Sequence, residues 1–173
     1  MGTNIPIDWN FVNEELQPVA EIFQLRQSYE YRGCPGQAPQ GANFHGSYLQ
    51  DVWAQKNIIG VVASADHGGG FGKAGVWAEH LSRESIFDAI RKRHTFGTSG
   101  AKINLLFKWD EFIMGDKVHN HPEKAPFEIL VEAGSKIREI VIFRNNKMVH
   151  SESPDDLIYS FRWKDDNPVK ADF

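Results

Sequence analysis

The chain reads as an α/β architecture followed by an antiparallel β module, on three observations. Between His45 and Gly100 the patterns run helix, strand, loop, strand, helix, strand, the order of an α/β layer arrangement. The apolar run Ile58-Ile59-Gly60-Val61-Val62-Ala63 has the composition of a buried parallel strand and breaks into Ser64-Ala65-Asp66-His67-Gly68-Gly69-Gly70. From about Lys117 the texture changes to alternating apolar and polar residues, the period of half-buried strands.

Residues 1 to 18 are polar and turn-rich. Val19-Ala20-Glu21-Ile22-Phe23-Gln24-Leu25 then has the length and flanks of a strand, with Glu21 as a carboxylate on a largely buried element. Gly, Pro and Gln residues make Arg32 to Asn43 a loop. From His45 to Lys56, Tyr48, Leu49, Val52 and Trp53 fall at helical spacing, with Ser47 able to cap. Gly75-Val76-Trp77-Ala78 reads as a short strand. Ser82 opens a second helix carrying Ile86, Phe87, Ala89 and Ile90 on one face, and Arg91, Lys92, Arg93 and His94 at its end match the exposed carbonyls there rather than forming an anion site. Phe127 to Val131, Ile137 to Arg144, Lys147 to His150 and Leu157 to Trp163 are the strands of the last module, with Asn145-Asn146 as a hairpin turn. The domain reading is residues 1–116 and 117–173, joined through His119-Asn120-His121-Pro122-Glu123-Lys124.

The 173 residues, 41% of them hydrophobic, suffice for a core, and a formal charge of −4 with interspersed signs leaves no broad positive face for nucleic acid. The single cysteine, Cys34, permits no internal disulfide and reads as an inert loop thiol. No apolar stretch approaches the roughly 20 residues of a membrane span, and the first residues lack the pattern of a signal peptide. The chain is therefore expected to be soluble, without a compartment being assigned.

Several motifs fail on context. His119 and His121 would share a side of an extended chain, but Pro122 follows and no further ligand stands at metal spacing, so they read as linker. Gly70, Gly72 and Gly75 match a dinucleotide fingerprint formally, yet Val76-Trp77-Ala78 stands where the helix would have to start. Gly72-Lys73 is followed by Ala74, not the hydroxyl of a phosphate-binding loop. No Gly-x-Ser-x-Gly elbow occurs, and Ser64 and His67 have no evident third partner. What remains is Asp66 and His67, a carboxylate and an imidazole at a strand end before a glycine loop: a metal or acid/base site, or a set of loop hydrogen bonds.

Three strings taken together resemble a known family: Ile59-Gly60-Val61-Val62-Ala63-Ser64-Ala65-Asp66-His67, Gly75-Val76-Trp77-Ala78-Glu79, and Ser82 through Gly100. They are similar to a domain-of-unknown-function group related to the PHP (polymerase and histidinol phosphatase) superfamily of metal-dependent phosphoesterases, and Asp8-Trp9 through Phe23 looks like the same family's stretch before its later barrel strands. The resemblance implies the carboxyl-terminal part of a distorted (β/α) barrel, cut at both ends, with the β module following. It implies divalent ions (Zn, Mn, Mg or Fe, not distinguished), with Asp66 and His67 as ligands although the superfamily motif is Asp-x-His. It also implies a small phosphorylated substrate and self-association through unpaired sheet edges. Glu21 and Arg26 would line the cavity, unless Glu21 is simply held by backbone amides or by Arg26. Glu79 and His80 would support the site from a strand-to-helix corner, or be ordinary polar residues there. The other reading is a barrel remnant without catalysis whose β module binds carbohydrate or protein, with Trp109, Phe112 and Trp163 as contact aromatics.

Overall fold

A computed structural model describes residues 7–36, 45–119 and 125–166. Its elements are β1 (Val19–Gln24), β2 (Gln27–Ser28), α1 (Leu49–Ala54), β3 (Gly60–Ala63), β4 (Lys73–Val76), α2 (Arg83–Arg91), β5 (Thr95–Thr98), β6 (Ile103–Trp109), β7 (Phe112–Ile113), β8 (Phe127–Ala133), β9 (Ile140–Arg144), β10 (Lys147–Glu152) and β11 (Ile158–Trp163).

They form four small sheets, ordered β2-β1-β3, β4-β5, β11-β8-β6-β7 and β9-β10. Among the described residues only β1 and β3 pair in parallel, and the other pairings are antiparallel. The expected (β/α) barrel is therefore not formed, and no closed barrel exists among the described residues. The reason is local. A barrel needs each helix to return the chain to a strand parallel with the last, but α2 returns it to β5, which runs antiparallel to β4 in the register Val76↔Thr95 to Lys73↔Thr98. Between β3 and β4 there is no helix, only the loop from Ser64 to Gly72.

Two cores hold the sheets. Leu49 and Val52 of α1, fully buried, pack with Trp9 and Ile59 against Ala20, Ile22 and Val61 of the first sheet. The α1 entry is held by Asp51, whose carboxylate accepts from the Tyr48 N–H at 2.9 Å. Ser47, expected to cap, instead donates to the Ile7 carbonyl. Ser82 caps α2 as expected, accepting from the Ser85 N–H at 3.2 Å. In the second core Ile129 and Val131 of β8 meet Ile137 and Ile142, with Leu105, Phe107 and Val149 around them, so the hairpin β9-β10 covers one face of the four-stranded sheet. Asn145 and Asn146 turn that hairpin with φ of +50° and +59°, the left-handed pair a two-residue turn requires.

Phe127 stacks at 5.2 Å on Trp109 and at 5.6 Å on Trp163, which places both tryptophans inside this aromatic row. His119 is described and exposed, whereas His121 lies outside the described residues. Cys34 is buried. No described helix is long and apolar enough to cross a membrane.

Candidate functional site at the carboxyl edge of the parallel pair

Because β1 and β3 run the same way, with Val19↔Gly60 and Phe23↔Ala63 in register, their carboxyl ends share one edge. The chain extends β3 by one further bond, Ser64 N–H to the Phe23 carbonyl at 3.1 Å, and then turns. The Ser64 hydroxyl donates to Glu21 Oε1 and accepts from the Asp66 N–H at 3.1 Å. Asp66 itself has φ +55°, a left-handed conformation that aspartate tolerates better than most residues. Neighbours on a straight strand face opposite ways, but here the backbone has turned before His67.

The Asp66 carboxylate is held from two sides: Oδ2 accepts from Arg26 Nη1 at 2.7 Å and Oδ1 from the His67 N–H at 2.8 Å. Arg26 arrives from the β1–β2 turn, where Gln27 has φ +79°, and its own N–H is held by the Gln24 side chain. The His67 Nε2 lies 3.8 Å from Asp66 Oδ1, and its ring is largely in solvent, 74% exposed. The glycine loop closes tightly underneath. At Gly72 a Cβ would stand 2.2 Å from the Ser64 carbonyl oxygen, so this position brings backbone onto backbone where no side chain fits.

The structure thus brings Glu21, Arg26, Asp66 and His67 together, with the pairing redistributed. Arg26 holds Asp66, and the Ser64 hydroxyl holds Glu21. Tyr29, which sequence reasoning passed over, belongs to the same neighbourhood: burial pushes its hydroxyl pKa up, Arg26 opposes this, and the charges of Glu21 and Asp66 add to it. A lone tyrosine after a turn gives no signal in sequence. Glu79 and His80 are exposed at the β4–α2 corner; the His80 N–H donates to Ser85 Oγ at 3.1 Å, and neither residue bonds to the Asp66 group. His94, expected at a helix end, does close α2 through its N–H on the Ala89 carbonyl, and its side chain is paired through Nε2 with Asp116 Oδ1 at 2.7 Å. Among the described residues no three His, Cys, Asp or Glu side chains gather at metal-binding distance.

The donors that are present, one carboxylate and one exposed imidazole nitrogen, stand 3.8 Å apart, and both oxygens of that carboxylate already accept hydrogen bonds. In terms of class, this is a mostly-β chain with a polar, charge-paired edge at the parallel pair β1–β3. Residues 30–137, more than half of the chain, match the family model described as protein of unknown function (DUF3604), and the chain belongs to that family. No curated protein and no solved structure matches it.

Proposed function

We propose that the β1–β3 edge is part of a divalent-metal-dependent hydrolase site acting on phosphoesters. The observation that carries the reading is the convergence of Glu21, Arg26, Asp66 and His67 on one strand edge. Asp66 and His67 would hold the ion, which when bound supplies a water acidified toward neutral pH and neutralises charge on phosphoryl oxygens. Arg26, which now holds Asp66 Oδ2, would offer a planar cation suited to a phosphoryl group. Glu21 acts at one remove: through Ser64 it fixes the turn that aims Asp66. The phosphoester chemistry in this proposal is taken from the resemblance of the strings from Ile59 to Gly100 to the PHP enzymes, whose barrel the described residues do not form.

The test is metal content after dialysis against Mg, Mn and Zn, together with aryl phosphate turnover, for the wild type, Asp66→Ala and His67→Ala. The expected outcome is loss of bound metal and of turnover in both variants, with the melting temperature unchanged in His67→Ala and lowered in Asp66→Ala, which puts alanine at φ +55° and breaks the Arg26 pair. If metal content and rate match the wild type in both variants, the assignment fails.

A further inference from the structure

A second concave surface lies away from these groups, where the open end of the β4–β5 pair meets the start of β6, the end of β8 and the start of β11. It is a cleft of about 650 Å³, within the roughly 300–1,000 Å³ of small-molecule sites. Its floor is apolar. The Phe96 ring lies across the Gly75 backbone so closely that a Cβ there would stand 2.1 Å from Phe96 Cζ, and Ile103 continues this surface. Leu157 and Ile158 form one wall and are 52% and 64% exposed, apolar area facing open solvent at the head of a strand.

The polar groups of the cleft are unequal in sign. Lys73 begins β4 and Lys102 precedes β6, and neither has an ion-pair or hydrogen-bond partner for its ammonium among the described residues. The one carboxylate, Glu132, already accepts from Asn104 Nδ2 at 3.1 Å. A surface with an apolar floor and two uncommitted cations complements a molecule with an apolar body and an anionic head.

We propose that this cleft binds an organic anion with a flat apolar body, the body on Phe96, Ile103 and Ile158 and the anionic group facing Lys73 and Lys102. This rests on the cleft alone and not on the metal reading. Carboxylate, sulfate and phosphate heads share the chemistry; a phosphate is used as the probe.

The experiment titrates the protein with 1-naphthyl phosphate in EDTA, so that no metal-dependent turnover intervenes, and compares 1-naphthol and inorganic phosphate. Binding of 1-naphthyl phosphate is expected to be about tenfold tighter than either half alone, because each half engages only one of the two surfaces. The exposed double variant Lys73→Gln/Lys102→Gln is expected to lose about tenfold in affinity, and Ile158→Ser to lose affinity for 1-naphthyl phosphate and 1-naphthol but not for phosphate. Asp66→Ala and His67→Ala should bind as the wild type does. A double lysine variant within twofold of the wild type would overturn the proposal, as would loss of binding in Asp66→Ala with the lysine variants unaffected. Failure of the metal-content test leaves these expectations in place.

Discussion

Replacing Gly72 by Ala tests how the loop after β3 is built, because the cost can be worked from geometry. The added Cβ would stand 2.2 Å from the Ser64 oxygen, 2.9 Å from the Ser64 carbonyl carbon and 3.0 Å from its nitrogen. These are backbone atoms that no rotamer change can clear, and Ser64 is anchored by its bonds to Phe23, Glu21 and Asp66. An ordinary carbon–oxygen contact needs a separation of about 3.3 Å or more, so loop and strand end must part by about 1 Å. Overpacking of this kind costs about 1–3 kcal/mol, which for a chain of this size lowers the melting temperature by roughly 2–4 °C per kcal/mol. Gly72 is not in the left-handed region, so the cost is contact, not strain. At Gly69, by contrast, φ is +78° and the nearest atom to a Cβ is Leu25 Cδ1 at 3.9 Å; alanine there meets strain of about 1 kcal/mol and no collision. Urea and thermal unfolding of the two variants separate these terms. The expected order is Gly72→Ala less stable than Gly69→Ala, with only the former also weakening metal retention through displacement of Ser64. A Gly72→Ala protein melting within 1 °C of the wild type would refute the packing argument.

Four further expectations follow from single contacts. Leu49→Ala empties a fully buried site between α1 and the first sheet and should cost about 2–5 kcal/mol in urea unfolding. Burial raises the Asp116 carboxyl, but the His94 hydrogen bond, the Ile113 N–H and nearby positive charge outweigh it, and its pKa falls below the ordinary 3.8. A lowered folded-state pKa means stabilisation that is present above the unfolded value and lost as pH falls through the folded one. Asp116→Asn should therefore lose about 1–2 kcal/mol at pH 7, and the gap to the wild type should close as unfolding is measured below pH 4, toward pH 2. Asn146→Ala removes both a tolerated left-handed residue and the bond from its Nδ2 to the Gln50 carbonyl at 2.8 Å; a loss of about 1–2 kcal/mol is expected by thermal melting. Lys136→Ala breaks an ion pair with Asp155 whose side chains are 66% and 74% exposed, and a double-mutant cycle should show less than about 0.5 kcal/mol.

Local features were legible in the sequence where one residue type settles one conformation. The Ser82 cap, the Asn145-Asn146 turn and the apolar strand ending at Ala63 stand where pattern and propensity put them. The direction of a strand is not carried by its composition. Val76 and Thr95 would read alike whether β5 ran with β4 or against it, and the difference lies in the left-handed turn at Arg93, φ +63°, with its Nε tied to the Gly115 carbonyl at 3.0 Å. Arg93 and His94 stand at the end of α2 as their sequence suggests, donating their N–H groups to the Ile90 and Ala89 carbonyls, and their side chains also clamp residues more than twenty positions downstream. In β6 Ile103, Leu105, Phe107 and Trp109 alternate as a half-buried strand should, but Leu106 on the other side blurs the period in sequence. The site divides the same way. The polar cluster after β3 is visible in sequence, whereas the choice of Arg26 for Asp66 and of Ser64 for Glu21 depends on which side chains the parallel register sets side by side.

The two candidate sites are ends of one loop. Ser64 closes onto Gly72 from the strand side, and Lys73, the next residue, starts the strand that lines the lysine cleft. Across the loop, β5 packs on β3, with Gly97 against Ile22, Val62 and Ala63. The cleft's far wall is tied back to the same body through Trp77, whose Nε1 donates to the Leu105 carbonyl at 2.8 Å, and through Lys117, paired with Glu14. Asp66 and Lys73 are joined by the glycine loop that the Ser64–Gly72 contact closes, so a shift of that contact is expected to move Lys73 relative to Asp66. Ligand in the cleft and metal at the β1–β3 edge would then influence one another through backbone displacement, whatever the distance between their charges. That coupling has a signature: the Kd for 1-naphthyl phosphate would change on adding metal in the wild type, and the change would shrink in Gly72→Ala while each site alone still bound. Equal metal effects in both proteins would mean that the loop transmits nothing and that the two sites share only a fold.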